Sequence, residues 1–109
     1  MSQSVIIIQK DSEFETQVLE ATTPVLAYFW ADWCGPCKLV APSVESIAEN
    51  YGDRLKVVKL KVDDNPNAVK TYKVEGVPAI RFFKDKQVIE SREGAMTKQQ
   101  LIDLVEANL

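Results

Sequence analysis

The apolar residues of this chain repeat with two periods, and the switches between them mark out its elements. Val5 to Ile8 is a short β-branched run and predicts a first strand. Ser12-Glu13-Phe14-Glu15 has the spacing of a capping box. Phe14, Val18 and Leu19 follow as an apolar stripe, so a helix is expected there, ended by Thr22-Thr23-Pro24. Val25 to Ala31 is continuously apolar or aromatic, as in a strand covered on both faces. From near Cys34, the residues Val40, Val44, Ile47, Ala48 and Tyr51 recur at helical spacing. Pro42 inside that pattern predicts a kink, and Gly52-Asp53 closes the helix.

Leu55 to Val62 reads as a third strand. Asp63-Asp64-Asn65-Pro66 is expected to cap a short helix over Ala68, Val69 and Tyr72, with Pro66 in its first turn. Val77 to Phe83 and Val88 to Ser91 form a hairpin about a tight Asp85-Lys86-Gln87 turn. Thr97-Lys98-Gln99-Gln100 is a second capping box, opening a last helix whose stripe is Leu101, Ile102, Val105 and Leu109. The order β-α-β-α-β-α-β-β-α predicts an α/β fold with helices on both faces of a sheet. The chain has no repeat, linker or low-complexity tract, so residues 1–109 are read as one domain.

Composition narrows the function more than the fold. Apolar residues make up 46 % and charged residues 27 %, an ordinary soluble balance. A net charge of −3 leaves no basic footprint, so neither nucleic acid nor a membrane is an expected partner. Met1-Ser2-Gln3-Ser4 carries no positive charge, and the apolar run after it is too short for a signal-peptide core or a membrane span. The expected location is therefore the cytoplasm. In such a reducing compartment, a close pair of cysteines is catalytic or metal-binding more often than structural. The chain has two cysteines and no histidine. A structural zinc site needs four such ligands, so zinc would have to be shared between two chains, and no metal site is expected within one. The missing histidine also removes Cys–His nucleophilic chemistry.

The two cysteines stand in the run Trp33-Cys34-Gly35-Pro36-Cys37, between the apolar strand and the amphipathic helix. Neighbours three apart on a helix lie about 5–6 Å apart at Cβ. A relaxed disulfide wants about 3.8 Å, so a small adjustment in a first turn would close one. Such a bridge encloses two residues and adds little stability through chain entropy. It is suited to being made and broken. A helix start also favours a thiolate at Cys34, through N–H groups without intrahelical partners and the positive dipole end. The thiolate is the attacking form. Gly35 leaves room for a partner backbone, and Pro36 stiffens the loop without removing a helical hydrogen bond. Two cysteines packed as small hydrophobes is the competing reading, and the strand–motif–helix context weighs against it.

With these residues the chain resembles the thioredoxin family. The resemblance runs through Phe29-Trp30-Ala31-Asp32-Trp33-Cys34-Gly35-Pro36-Cys37-Lys38, Ala41-Pro42, Val62-Asp63, Gly76-Val77-Pro78 and Gly94-Ala95. It implies the thioredoxin fold, a parallel core extended by an antiparallel hairpin. It implies a thiol–disulfide oxidoreductase with Cys34 attacking and Cys37 resolving, and no cofactor. The expected partners are disulfide-containing target proteins and a thioredoxin reductase, with the chain a monomer. Gly35-Pro36 resembles the reducing members of the superfamily rather than glutaredoxins or disulfide isomerases. Val77-Pro78 resembles the family's cis-proline loop, whose backbone would pair with an extended substrate segment. Trp33, Gly76, Gly94 and Ala95 would line the docking surface. Tyr28 stands where the family commonly has a buried Asp thought to move the proton of the resolving cysteine. The lysine that usually neighbours that Asp corresponds to Lys59, which reads equally well as an exposed strand residue. Trp30 is expected in the core. An interaction module with silent thiols is the rival function, and an insulin-reduction assay separates it from the oxidoreductase.

Overall fold

The computed structural model describes residues 5–109; Met1-Ser2-Gln3-Ser4, read above for its charge, lies outside them. Among the described residues, five strands form one sheet in the order β1-β3-β2-β4-β5. They are β1 (Val5–Ile8), β2 (Val25–Trp30), β3 (Lys56–Lys61), β4 (Ala79–Lys84) and β5 (Gln87–Glu93). β1 and β2 both pair parallel to β3. β4 pairs antiparallel to β2, and β5 antiparallel to β4. The sheet is therefore mixed, with the parallel core and antiparallel hairpin that the family resemblance implied.

The α-helices of the described residues are α1 (Gly35–Tyr51), α2 (Pro66–Thr71) and α3 (Lys98–Asn108). Side chains alternate across β2 and build two apolar layers. Leu26 and Tyr28 pack with Val40, Val44 and Ile47 of α1 and Leu101 and Val105 of α3. Val25, Ala27 and Phe29 pack on the other face with Phe14, Val18 and Ala68. Continuous burial of β2 explains its unbroken apolar run, because both of its faces are covered.

Four local expectations are corrected. The segment after β1 is not an α-helix but a 3₁₀ turn (Asp11–Glu13) followed by a five-residue π-helical segment (Glu15–Leu19). Ser12 forms no capping box, and neither short segment has a side-chain cap hydrogen bond. The Glu13 carboxylate accepts from the Gln9 N–H at 2.9 Å, and Asp11 reaches across to α2. Second, α2 is not capped by its own neighbours. Its first N–H groups, at Asn67 and Ala68, donate to the two Asp11 carboxylate oxygens at 2.9 and 3.0 Å. Asn65 is instead fully buried and donates to the carbonyls of Ile8 and Lys61. Third, the hairpin turn is only two residues. Asp85 and Lys86 both adopt positive φ (54° and 71°), the turn that matches the twist of paired strands. Fourth, β4 begins at Ala79 rather than Val77, after a cis Val77–Pro78 peptide bond. The capping box at Thr97 and Gln100 forms as expected, and α1 continues as α-helix past Pro42.

Candidate active site

Cys34 is the N-cap of α1, with extended backbone (φ −98°, ψ 104°), and Cys37 is its third helical residue. The two cysteines are joined in a disulfide, their Cα atoms 5.4 Å apart. That separation falls in the ordinary disulfide range. The adjustment that two helical neighbours would have needed is supplied by leaving Cys34 outside the helix. The Cys37 N–H donates to Cys34 Sγ at 3.1 Å, and the Cys34 N–H donates to the Ala31 carbonyl at 3.2 Å. Pro36 lies in the first turn, where no N–H is needed. Cys34 and Cys37 are 4 % and 2 % exposed and pack with Ala31, Trp30, Val62 and Val77.

Trp33, just before the pair, is 70 % exposed. It lines a shallow apolar cleft of 130 Å³ with Val62, Val69, Val74, Gly76 and Val77. Glu75 supplies the one acidic side chain of that cleft. Val77 packs beside the cysteines, and the Val77–Pro78 bond that follows it is cis. The Gly94 N–H donates to the Pro78 carbonyl at 2.8 Å, which ties Gly94 to the same loop. Ala95 is placed differently: it lines a separate groove between β5 and α3, with Glu90, Arg92, Met96 and Gln100.

Behind Cys37 lies a second cavity of 140 Å³, lined by Tyr28, Trp30, Asp32, Lys38 and Lys59 among others. Tyr28 is fully buried, and its hydroxyl donates to the Cys37 carbonyl at 2.8 Å. The phenol is thus committed to the helix backbone rather than to a sulfur. Burial pushes its pKa up to about 12, so it holds its proton throughout the neutral range. Lys59 is half-buried, with Nζ 4.7 Å from the centre of the Trp30 ring. Lys61 stacks on the same ring and pairs with Asp32 at 2.6 Å. The Asp32 carboxylate holds that ammonium above its usual range. Trp30 is half-buried rather than wholly core.

Sequence reading passed over Arg81 and Asp32. Arg81 was detectable as the one charge in the apolar run Ala79-Ile80-Arg81-Phe82-Phe83. Asp32 gave no such signal, since its partner Lys61 is distant in sequence. Among the described residues, no group of three or more His, Cys, Asp or Glu is arranged to hold a metal ion. No helix among them is long and apolar enough to cross a membrane.

A closely spaced cysteine pair at the start of a helix, on a mixed sheet beside a cis-proline loop, defines a thiol–disulfide oxidoreductase. The thioredoxin family profile matches residues 5–107. A thioredoxin-like protein of Synechocystis is 54 % identical over 99 residues, 91 % of each chain. The thioredoxins of Acidithiobacillus ferridurans and Pseudomonas aeruginosa are 43 % and 41 % identical over the full length of both chains. The chain belongs to the thioredoxin family.

Proposed function

We propose that this protein works in the reducing direction, passing two electrons from its dithiol to disulfides of target proteins. The observation that carries the assignment of roles is the 3.1 Å contact from the Cys37 N–H to Cys34 Sγ. A thiolate at Cys34 keeps that donor and the positive end of α1, both of which favour the charged form. Cys34 attacks one sulfur of the target disulfide. A mixed disulfide forms, and the other target sulfur leaves as a thiolate that takes up a proton. Cys37 then loses its proton and attacks Cys34 Sγ. The Cys34–Cys37 disulfide forms, and the second target thiol is released. The target bond is reduced and the dithiol oxidised, two electrons on each side. A thioredoxin reductase returns the pair to the dithiol.

Docking follows from the surroundings of the pair. Trp33, Gly76 and Val77 supply an apolar cleft, and Gly35 gives the approaching backbone space, since a Cβ built there would meet nothing within 4 Å. An extended target segment pairs with the Val77 backbone while its cysteine reaches Cys34. Pro78 shapes that loop, Pro36 stiffens the motif, and Gly94, just past β5, braces the loop. Ala95, on the neighbouring groove, borders the docking surface rather than lining the cleft. Lys59 tunes the resolving step from the cavity behind Cys37, where Tyr28 braces the Cys37 carbonyl. The protein acts as a cytoplasmic monomer of one domain, without cofactor or metal.

The test is trapping. Cys37→Ser, incubated with a disulfide-bonded protein, should accumulate as a stable mixed disulfide, while Cys34→Ser should capture nothing. Capture by Cys34→Ser alone would reverse the two roles.

A further inference from the structure

Arg81 sits in the middle of β4, and every other residue of Ala79–Phe83 is buried; Arg81 itself is 3 % exposed. A guanidinium keeps its charge inside a protein, so its burial must be met by partners. Nε donates to the Tyr72 carbonyl, Nη1 to the Ile80 carbonyl and Nη2 to the Lys73 carbonyl, each at 3.0 Å. Nη2 also pairs with Glu93 Oε2 at 2.5 Å. The Tyr72 and Lys73 carbonyls lie at the end of α2, where a cation is favoured. Lys73 is also held at φ 56°, in the left-handed region that a lysine rarely adopts.

These partners stand on the two flanks of one loop. Lys73 opens the segment leading to Gly76-Val77-Pro78. Glu93 ends β5 opposite Ala79, and the next residue, Gly94, donates to the Pro78 carbonyl. One side chain therefore joins the entrance of the loop to its exit. The fork is planar and spreads its donors over three nitrogens in a fixed geometry, whereas a lysine has a single nitrogen to share among these partners.

We infer that Arg81 is a positioning residue for substrate docking, holding the Val77–Pro78 loop in register with the cysteine pair without taking part in the exchange. The inference rests on the docking role proposed above for Val77. It separates two kinds of substrate. A protein disulfide must engage the loop, whereas a small aromatic disulfide needs only the thiols.

The experiment compares Arg81→Lys, Glu93→Gln and Val77→Glu with the unaltered full chain, reading KM and kcat on insulin and the rate with 5,5′-dithiobis(2-nitrobenzoate). Arg81→Lys should raise KM for insulin roughly tenfold, equivalent to about 1.4 kcal/mol. Its kcat and its small-disulfide rate should stay as they were. Glu93→Gln, at a half-exposed position, should give a smaller rise of the same kind and decides the matter if Arg81→Lys does not fold. An unchanged insulin KM in both variants, with a raised one in Val77→Glu, would overturn the role of Arg81 alone. An unchanged KM in Val77→Glu would overturn the docking reading and this inference with it. A parallel fall on insulin and the small disulfide would also overturn it, since general loosening slows both.

Discussion

Helices α1 and α3 start with the same hydrogen bond and serve different ends. In each, the N-cap side chain accepts the N–H of the third helical residue. Cys34 Sγ accepts from Cys37 at 3.1 Å, and Thr97 Oγ1 accepts from Gln100 at 3.1 Å. The difference lies in the rest of the turn. In α3 the Gln100 side chain returns the favour, accepting the Thr97 N–H at 2.9 Å, and the whole box is exposed. In α1 the N-cap N–H goes to the Ala31 carbonyl, the cap is buried, and Tyr28 holds the Cys37 carbonyl from beneath. The capping position places one side-chain atom where helix N–H groups converge. An oxygen there stabilises the helix and goes no further. A sulfur there feels the same field as an acid, and the field becomes reactivity.

The strongest way to break the comparison is to make α1 begin like α3. Cys34→Ser keeps an oxygen cap at the same place. It should retain the fold, followed by its thermal midpoint, while insulin reduction falls below detection. Residual reduction above background would mean that Cys37 attacks on its own. A smaller change comes from Tyr28→Asp. It puts a carboxylate beside Cys37, where general-base help is typically about 10²–10⁴-fold at its full extent. Part of that should appear as faster resolution of the mixed disulfide and an altered pH profile. Thermal stability should fall, because a buried carboxylate is desolvated.

Tyr28→Phe tests the phenol as a brace rather than a base. The resolving rate near neutral pH should hardly move; a collapse would make the hydroxyl a catalytic group. Its signature is in stability at high pH. Tyr28 ionises near 10 when unfolded and about 12 when folded. The unfolded chain therefore loses this proton first, and stability is complete below pH 10 and declines as pH rises toward 12. The two-unit difference corresponds to at most about 2–3 kcal/mol. Tyr28→Phe should make the alkaline limb of the denaturation midpoint shallower by part of that, leaving the contributions of Tyr51 and Tyr72, whose pKa values burial also raises. The smallest effect belongs to the inert end. Thr97→Ala should lower stability by about 1 kcal/mol and leave insulin reduction unchanged.

What the sequence made legible divides along the same line. Features with a local cause were readable: the strand at Val25–Trp30, the stripe of α1, the Thr97 box and the Cys34–Cys37 spacing each need only a few consecutive residues. What escaped depended on residues far apart. Ser12 looked like a cap, but its neighbour Asp11 is drawn to the start of α2, 56 residues on. Asn65 looked like the cap of α2, but it turns inward to bond β1. The cis state of Val77–Pro78 and the place of Val77 came from family resemblance, since any given X–Pro bond is more often trans. Tyr28 was legible as an oddity, yet its bond to the Cys37 carbonyl required knowing that β2 runs beneath α1. Arg81, passed over in the sequence, was detectable as a charge in an apolar strand, but only the fold says that its partners lie on both sides of one loop.

The Asp85-Lys86 turn has a bearing on how the molecule could be handled. Both residues sit at positive φ without being glycine, and both are exposed. The turn is at the far end of a six-residue strand from Ala79, about 20 Å from the Val77–Pro78 loop. A fluorescent reporter or an affinity handle grafted there would ride on the rigid β4–β5 hairpin and face away from the cysteines. Captured targets could then be followed without crowding the proposed docking surface.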